Sequence, residues 1–183
     1  LPKLQVTNRA FRSWLPKDSV TTFVVNVSAP SAHLSGFYRL RNVRSANVLE
    51  VPNGSWTQGT FLTANPWNGT YRQQWTFDSP SPGFVKFGNR ESGQFAATWN
   101  DHWAIPVLQW GDNGDTTAQW RLDDLGNGRV RLVNRKRLGS DPKLYALDEN
   151  PNRGNGWPDV VAYPDYGGTE MQWLIEKADD LYP

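Results

Sequence analysis

The sequence predicts an all-β domain of short strands, a sandwich or barrel, with pseudo-threefold symmetry. Three observations carry this expectation. A closing phrase ending in Gln-Trp occurs three times, at Trp75, Trp120 and Trp173. An opening phrase occurs three times ahead of it, at Gly36, Gly83 and Gly128. The composition, with 10 Trp, 16 Gly and 13 Pro in 183 residues, is rich in turn formers, and few stretches show helical periodicity. The repetition decides most, because repeated units bury their apolar faces only against one another.

The opening phrases are Gly36-Phe37-Tyr38-Arg39-Leu40-Arg41-Asn42, Gly83-Phe84-Val85-Lys86-Phe87-Gly88-Asn89 and Gly128-Arg129-Val130-Arg131-Leu132-Val133-Asn134. Apolar residues two apart put one face of a strand inward, and the basic residue between them is expected outside. Leu40, Phe87 and Leu132 are therefore expected to form one symmetric core layer. The closing phrases run from Asn65 to Trp75, Trp110 to Trp120 and Tyr163 to Trp173 without a gap. They place Gly69, Gly114 and Gly167 at one equivalent position, as a turn needing positive φ would require. Trp75, Trp120 and Trp173 are expected to be structural, each burying a large apolar area.

Before the first repeat, Leu4 to Asn8, Arg12 to Lys17 and Ser19 to Val27 read as β-type runs with a Leu-Pro-Lys-Asp turn. They bury too little to stand alone as a domain. Ala29-Pro30-Ser31-Ala32 has linker composition.

Composition excludes several classes. A formal net charge of +1, with basic residues scattered, gives no electrostatic reason to expect nucleic acid. Only Arg135-Lys136-Arg137 clusters, and it reads as a solvated loop. No apolar run is long enough to span a membrane as a helix. With no Cys, the chain has neither a disulfide framework nor a thiolate metal site. The two His residues, His33 and His102, have no repeat-related partner, so no metal, cofactor or catalytic role is expected of them.

The stretch from Gly36 to Phe77, with "NVLEVPNG", "QGT" and "NPWNGTYRQQWTF", resembles one repeat of the ricin B-type β-trefoil, also called the R-type lectin fold or family 13 carbohydrate-binding modules. Its mark is Gln-any-Trp closing each repeat, as in Gln73-Gln74-Trp75. The first Gln is replaced by Ala118 and Met171 in the other repeats. The resemblance covers 36 to about 177 and implies a non-catalytic module that binds a polysaccharide or oligosaccharide of galactose or xylose type.

A pyranose offers an apolar C–H face and a rim of hydroxyls, so its site needs a flat aromatic ring and a few fixed acceptors. A carboxylate supplies the strongest neutral-ligand acceptor. The resemblance places the acid in the first half of each repeat and an aromatic fifteen residues on. Repeat three offers Asp148 and Tyr163, with Asp165 nearby. Repeat one offers Glu50, with Asn65 where the ring belongs, Trp67 two residues on, and Gln73 as a polar partner. Repeat two offers Trp110, but Ala97 stands at its acid position. Three residues before the closing Trp stand Arg72, Thr117 and Glu170. Other readings stay open. Tyr163 and Trp110 fit loop residues packed on the barrel, Glu50 a surface acid in a turn, and Asp148 to Asn152 a turn without ligand.

The phrase "LPKDSVTTFVVNV" is similar to the last β-sandwich strands of family 30 glycoside hydrolases. The expected organisation is then 1–28 as terminal strands of an upstream glycosidase-like sandwich, 29–35 as linker, a trefoil at 36–177 (repeats 36–82, 83–127 and 128–177) and a tail at 178–183. The chain opens at Leu1 without a signal peptide, which suggests one piece of a longer, secreted polypeptide whose catalytic domain lies upstream. Three alternatives remain: a structural spacer with decayed sites, a protein-binding trefoil, and an enzyme in its own right.

Overall fold

The computed structural model describes residues 35–99, 104–136, 144–150 and 158–178, with the backbone of 5–7 and 10–12. The chain divides into two units, 1–30 and 31–183. In the first, β1 (Gln5–Thr7) and β2 (Ala10–Arg12) pair antiparallel, Gln5 opposite Arg12. The second strand thus ends at Arg12, where the sequence run was expected to begin. The run from Ser19, the Leu-Pro-Lys-Asp turn, the hydrolase-like phrase and the linker up to Leu34 lie outside the described residues, as do His33 and His102.

The second unit is all-β, with four strands per repeat. They are β3 (Tyr38–Asn42), β4 (Val48–Glu50), β5 (Thr63–Asn65) and β6 (Trp75–Ser81) in the first. The second holds β7 (Phe84–Asn89), β8 (Phe95–Thr98), β9 (Ile105–Trp110) and β10 (Trp120–Gly126). The third holds β11 (Arg129–Asn134), β12 (Tyr145–Glu149), β13 (Val160–Pro164) and β14 (Trp173–Lys177). The first and last strands of each repeat close a ring. β3 pairs β6, β6 pairs β7, β7 pairs β10, β10 pairs β11, β11 pairs β14, and β14 returns to β3. Closure leaves no exposed edge in the barrel. The middle strands form hairpins β4–β5, β8–β9 and β12–β13, and this is a β-trefoil.

The core follows the repeats. Leu40, Phe87 and Leu132 are fully buried in one layer, with Trp75, Trp120 and Trp173 beside them. A buried indole N–H needs an acceptor. Trp75 Nε1 donates to the Leu49 carbonyl at 3.0 Å, Trp120 to Ala96 at 3.0 Å and Trp173 to Leu147 at 2.9 Å. Each closing Trp thereby ties the barrel to the first strand of its hairpin.

The Asn that ends each opening phrase joins neighbouring repeats. Asn42 Nδ2 donates to the Glu170 carbonyl at 2.7 Å, Asn89 to Arg72 at 2.9 Å and Asn134 to Thr117 at 2.8 Å. Those carbonyls sit on single 3-10 turns, Tyr71–Gln73, Thr116–Ala118 and Thr169–Met171, one before each closing Trp. Gly69, Gly114 and Gly167 precede these turns at φ of 80°, 76° and 80°, as their alignment required.

One expectation is corrected. The basic residues of the opening phrases do not simply face water, since Lys86 is only 6% exposed. Lys86 lies 2.5 Å from Asp112, Arg131 donates to Asp165 at 2.8 Å, and Arg39 stacks 5.0 Å over Trp67. Asp112, Asp165 and Trp67 hold one equivalent position, the third residue of each closing phrase. The outward charge folds back onto its own repeat's turn because an unpaired cation against the sheet would lose hydration.

Candidate functional site

The hairpin registers make the sites equivalent in space. Leu49 pairs Ala64, Ala96 pairs Gln109 and Leu147 pairs Ala162. One residue further along, Glu50, Ala97 and Asp148 share the acid position, while Asn65, Trp110 and Tyr163 share the ring position.

In repeat three, Asp148 lies on β12 at 2% exposure, so Asp148 and Glu149 are strand residues, while Pro151 and Asn152 of the turn alternative lie outside the described residues. Tyr166 reaches its Oδ2 with a hydroxyl 3.5 Å away, a long contact, and Oδ1 has no hydrogen-bond partner. Tyr163 and Tyr166 meet edge to face with ring centroids 5.9 Å apart, so Tyr166 links the acid to the predicted ring. Tyr166 is 52% exposed. Glu170 lies on the 3-10 turn below and pairs with Arg44. Burial raises the Asp148 carboxyl, and the Glu170 charge raises it further, to about 7; the Tyr166 hydroxyl opposes, Glu149 adds and Arg44 subtracts. The Tyr166 hydroxyl is raised as well, by burial and then by the Asp148 charge. Glu149 accepts from the Ser45 hydroxyl and, at 3.0 Å, from the Asn47 amide.

Asp165 is turned to another use. Its Oδ2 accepts from Arg131 and its Oδ1 accepts from the Gly167 N–H at 2.9 Å, which fixes the turn beneath Tyr166.

Repeat one brings its acid to a different end. Glu50 is buried on β4, not on a surface turn. Gln73 donates to its Oε2 at 2.6 Å, and Arg72 Nε lies 3.2 Å from Oε1. Gln73 also donates to the Pro66 carbonyl at 2.9 Å and accepts from Asn68 N–H at 2.8 Å. The first Gln of the motif is thus a buried brace between the acid and the closing turn. Asn65 is exposed and donates to Thr63 at 3.2 Å, while one face of Trp67 carries Arg39.

Repeat two has no acid. Ala97, Leu108 and Ala118 form a small apolar cluster with Phe95 and Trp110 packed against it. Trp110 lies 4.6 Å from the exposed Trp99, their planes at 49°. Trp110 lies within strand β9, not in a loop, and packs against this cluster.

The sequence reading missed Tyr166 and Arg44. The spacing of the closing phrase did contain Tyr166, three residues after Tyr163, but only the folded turn brings it over Asp148. Among the described residues no cluster of His, Asp or Glu is placed to hold a metal ion, and no helix is long and apolar enough to cross a membrane.

A six-stranded ring and three hairpins define a β-trefoil, and its third repeat sets an acid beside tyrosine rings. Residues 22–105 match the family described as "Ricin-type beta-trefoil lectin domain-like". No curated protein sequence matches the chain significantly. Among solved structures, the designed threefold-symmetric protein ThreeFoil is similar at 29% identity and a TM-score of 0.69, over 78% of this chain and 99% of that one. An exo-beta-1,3-galactanase from Clostridium thermocellum matches at 24% identity and TM-score 0.69, over 78% of this chain but only 30% of that one. The ricin B-like lectin of Macrolepiota procera, in complex with lactose, matches at 17% identity and TM-score 0.59, over 77% of this chain and 94% of that one.

Proposed function

We propose that this trefoil binds glycans and that its working site is in repeat three. One observation carries the proposal: Asp148, 2% exposed, keeps a carboxylate oxygen without a partner beside the rings of Tyr163 and Tyr166. A buried acceptor without a donor costs free energy in the empty protein, and a sugar hydroxyl removes that cost. The tyrosine rings offer apolar surface to the C–H face of the same sugar. Repeat one has spent its acid on Arg72 and Gln73, and repeat two holds an apolar cluster instead. One site with few polar contacts binds weakly and gains little from multivalency within the chain.

The ligand class we favour is a galactose- or xylose-type sugar at the end or along the length of a polysaccharide. The lactose complex of the Macrolepiota procera lectin is in keeping with galactose. The natural setting we favour is a secreted glycoside hydrolase, with the trefoil non-catalytic and the catalytic domain upstream. The hydrolase-like phrase at 15–27 supports that setting. The galactanase, of which the matched part is a minority, is in keeping with a trefoil as one module of a larger chain.

The test is titration with lactose and retention on insoluble β-galactan and xylan, using wild type, Asp148→Ala and Tyr163→Ala. Retention lost in both variants supports the site. Retention unchanged in both moves it elsewhere, and no retention by the wild type favours a spacer.

A further inference from the structure

Three stretches of the chain read Asn, a residue other than Pro, then Ser or Thr: Asn26-Val27-Ser28, Asn53-Gly54-Ser55 and Asn68-Gly69-Thr70. This pattern accepts an N-linked glycan in a eukaryotic secretory pathway, and the bulk of the glycan demands a surface position. The first stretch lies outside the described residues. Structure separates the other two.

Asn68 is exposed on the closing turn of repeat one. Its Oδ1 accepts from the Thr70 N–H at 3.1 Å and from the Thr70 hydroxyl at 2.6 Å. Its backbone N–H donates to Gln73 Oε1 at 2.8 Å. Such short-range bonds hold the turn from within. Gly69 turns at φ 80°, and a Cβ there would meet no described atom within 4 Å beyond its chain neighbours. An oligosaccharide on Asn68 therefore leaves the barrel packed as it is. Asn53 is exposed too, but its turn is pressed against the second repeat. A Cβ at Gly54 would stand 2.6 Å from Glu91 Oε1. The Ser55 hydroxyl lies 2.9 Å from that of Thr60 and accepts from the Thr57 N–H at 3.2 Å.

The place of Asn68 within the repeat gives the modification its meaning. Asn68, Asn113 and Tyr166 hold one position in the closing phrases, each ahead of a Gly at φ of 80°, 76° and 80°. In repeat three that position carries the ring that reaches Asp148. In repeat two Asp115 stands where the pattern needs a hydroxyl. We propose that Asn68 is the attachment point of an N-linked glycan, which rises from the mouth of repeat one's hairpin. The acid of that hairpin is already held by Arg72 and Gln73, so repeat one carries a sugar where repeat three is built to bind one. The proposal rests on the secreted setting favoured above. The donor is a lipid-linked oligosaccharide diphosphate. A bond forms between Asn68 Nδ2 and C1 of the first sugar, and the bond from C1 to the diphosphate oxygen breaks. The lipid diphosphate leaves with the electron pair, and one amide proton passes to a base of the transferase.

The test is secretion of the full chain from yeast behind a leader peptide, as wild type, Asn68→Gln, Thr70→Ala and Asn53→Gln. Intact and tryptic-peptide masses are read before and after peptide N-glycosidase, which leaves an aspartate where a glycan stood. Wild type and Asn53→Gln should release a glycan from the peptide that holds Asn68. Asn68→Gln and Thr70→Ala should lose it, and Thr70→Ala does so with the asparagine still in place. Wild type secreted with Asn68 bare overturns the proposal, as does a glycan confined to Asn53 or Asn26. A glycan on Asn68 from yeast, but none on the protein recovered from its own source, overturns the secreted setting and leaves the acceptor standing.

Discussion

The indole of Trp173 donates to the Leu147 carbonyl at 2.9 Å, one residue before Asp148. The repeat-defining tryptophan thus fixes the peptide that presents the acid, and the same tie lies ahead of Glu50 and Ala97. Framework and site are one device in this fold.

Replacing Trp173 or Trp120 by Phe removes the N–H and leaves a buried carbonyl unpaired, at about 1–3 kcal/mol each. Urea unfolding should show similar losses for the two variants. Sugar titration should separate them, because only Trp173 positions an acid, and Trp120→Phe should keep its affinity. Equal loss of binding in both would break the link between indole and site.

Met171→Gln should recreate in repeat three the brace that Gln73 gives Glu50. Met171 is fully buried at the equivalent place, and Gln has nearly its length. A donated hydrogen bond favours the charged carboxylate. The Asp148 carboxyl, now raised to about 7, should titrate lower in the variant. Carbon NMR of the carboxyl resonance reads this directly.

Gly168 is needed for space. Its φ of −64° suits any residue, but an added Cβ would stand 2.2 Å from the Tyr166 ring. Gly168→Ala should therefore leave melting nearly unchanged, swing Tyr166 off Asp148 and weaken sugar binding several-fold. A crystal structure of the variant with Tyr166 in place would refute this.

Asp148 should make stability fall as pH rises. Its ordinary pKa is 3.8 and the folded value about 7, so between about pH 4 and pH 7 the unfolded chain loses a proton the native state keeps. The loss is complete above about pH 7 and amounts to at most about 4 kcal/mol. Asp148→Asn cannot ionise. Its melting temperature should gain on wild type across that window and stay level above it.

Sequence by itself carried the threefold repeat, and its resemblance to the ricin B-type repeat implied the trefoil. The pattern of apolar residues two apart, the recurring Gly and the closing Trp are local demands on strands and turns, and they recur three times. It also aligned the acid and ring positions, because hairpin register follows from residue spacing once the strands are known. Tertiary structure alone decided what each candidate does. Glu50 and Asp148 look alike in sequence, yet Arg72 and Gln73 neutralise the first, while Glu170 and Met171 leave the second charged against and unbraced. Asp165 and Trp67 read as ligand groups until Arg131 and Arg39 are seen to hold them. Hydrogen-bond satisfaction depends on neighbours brought from other strands, and burial sets its worth, so no spacing along the chain contains it.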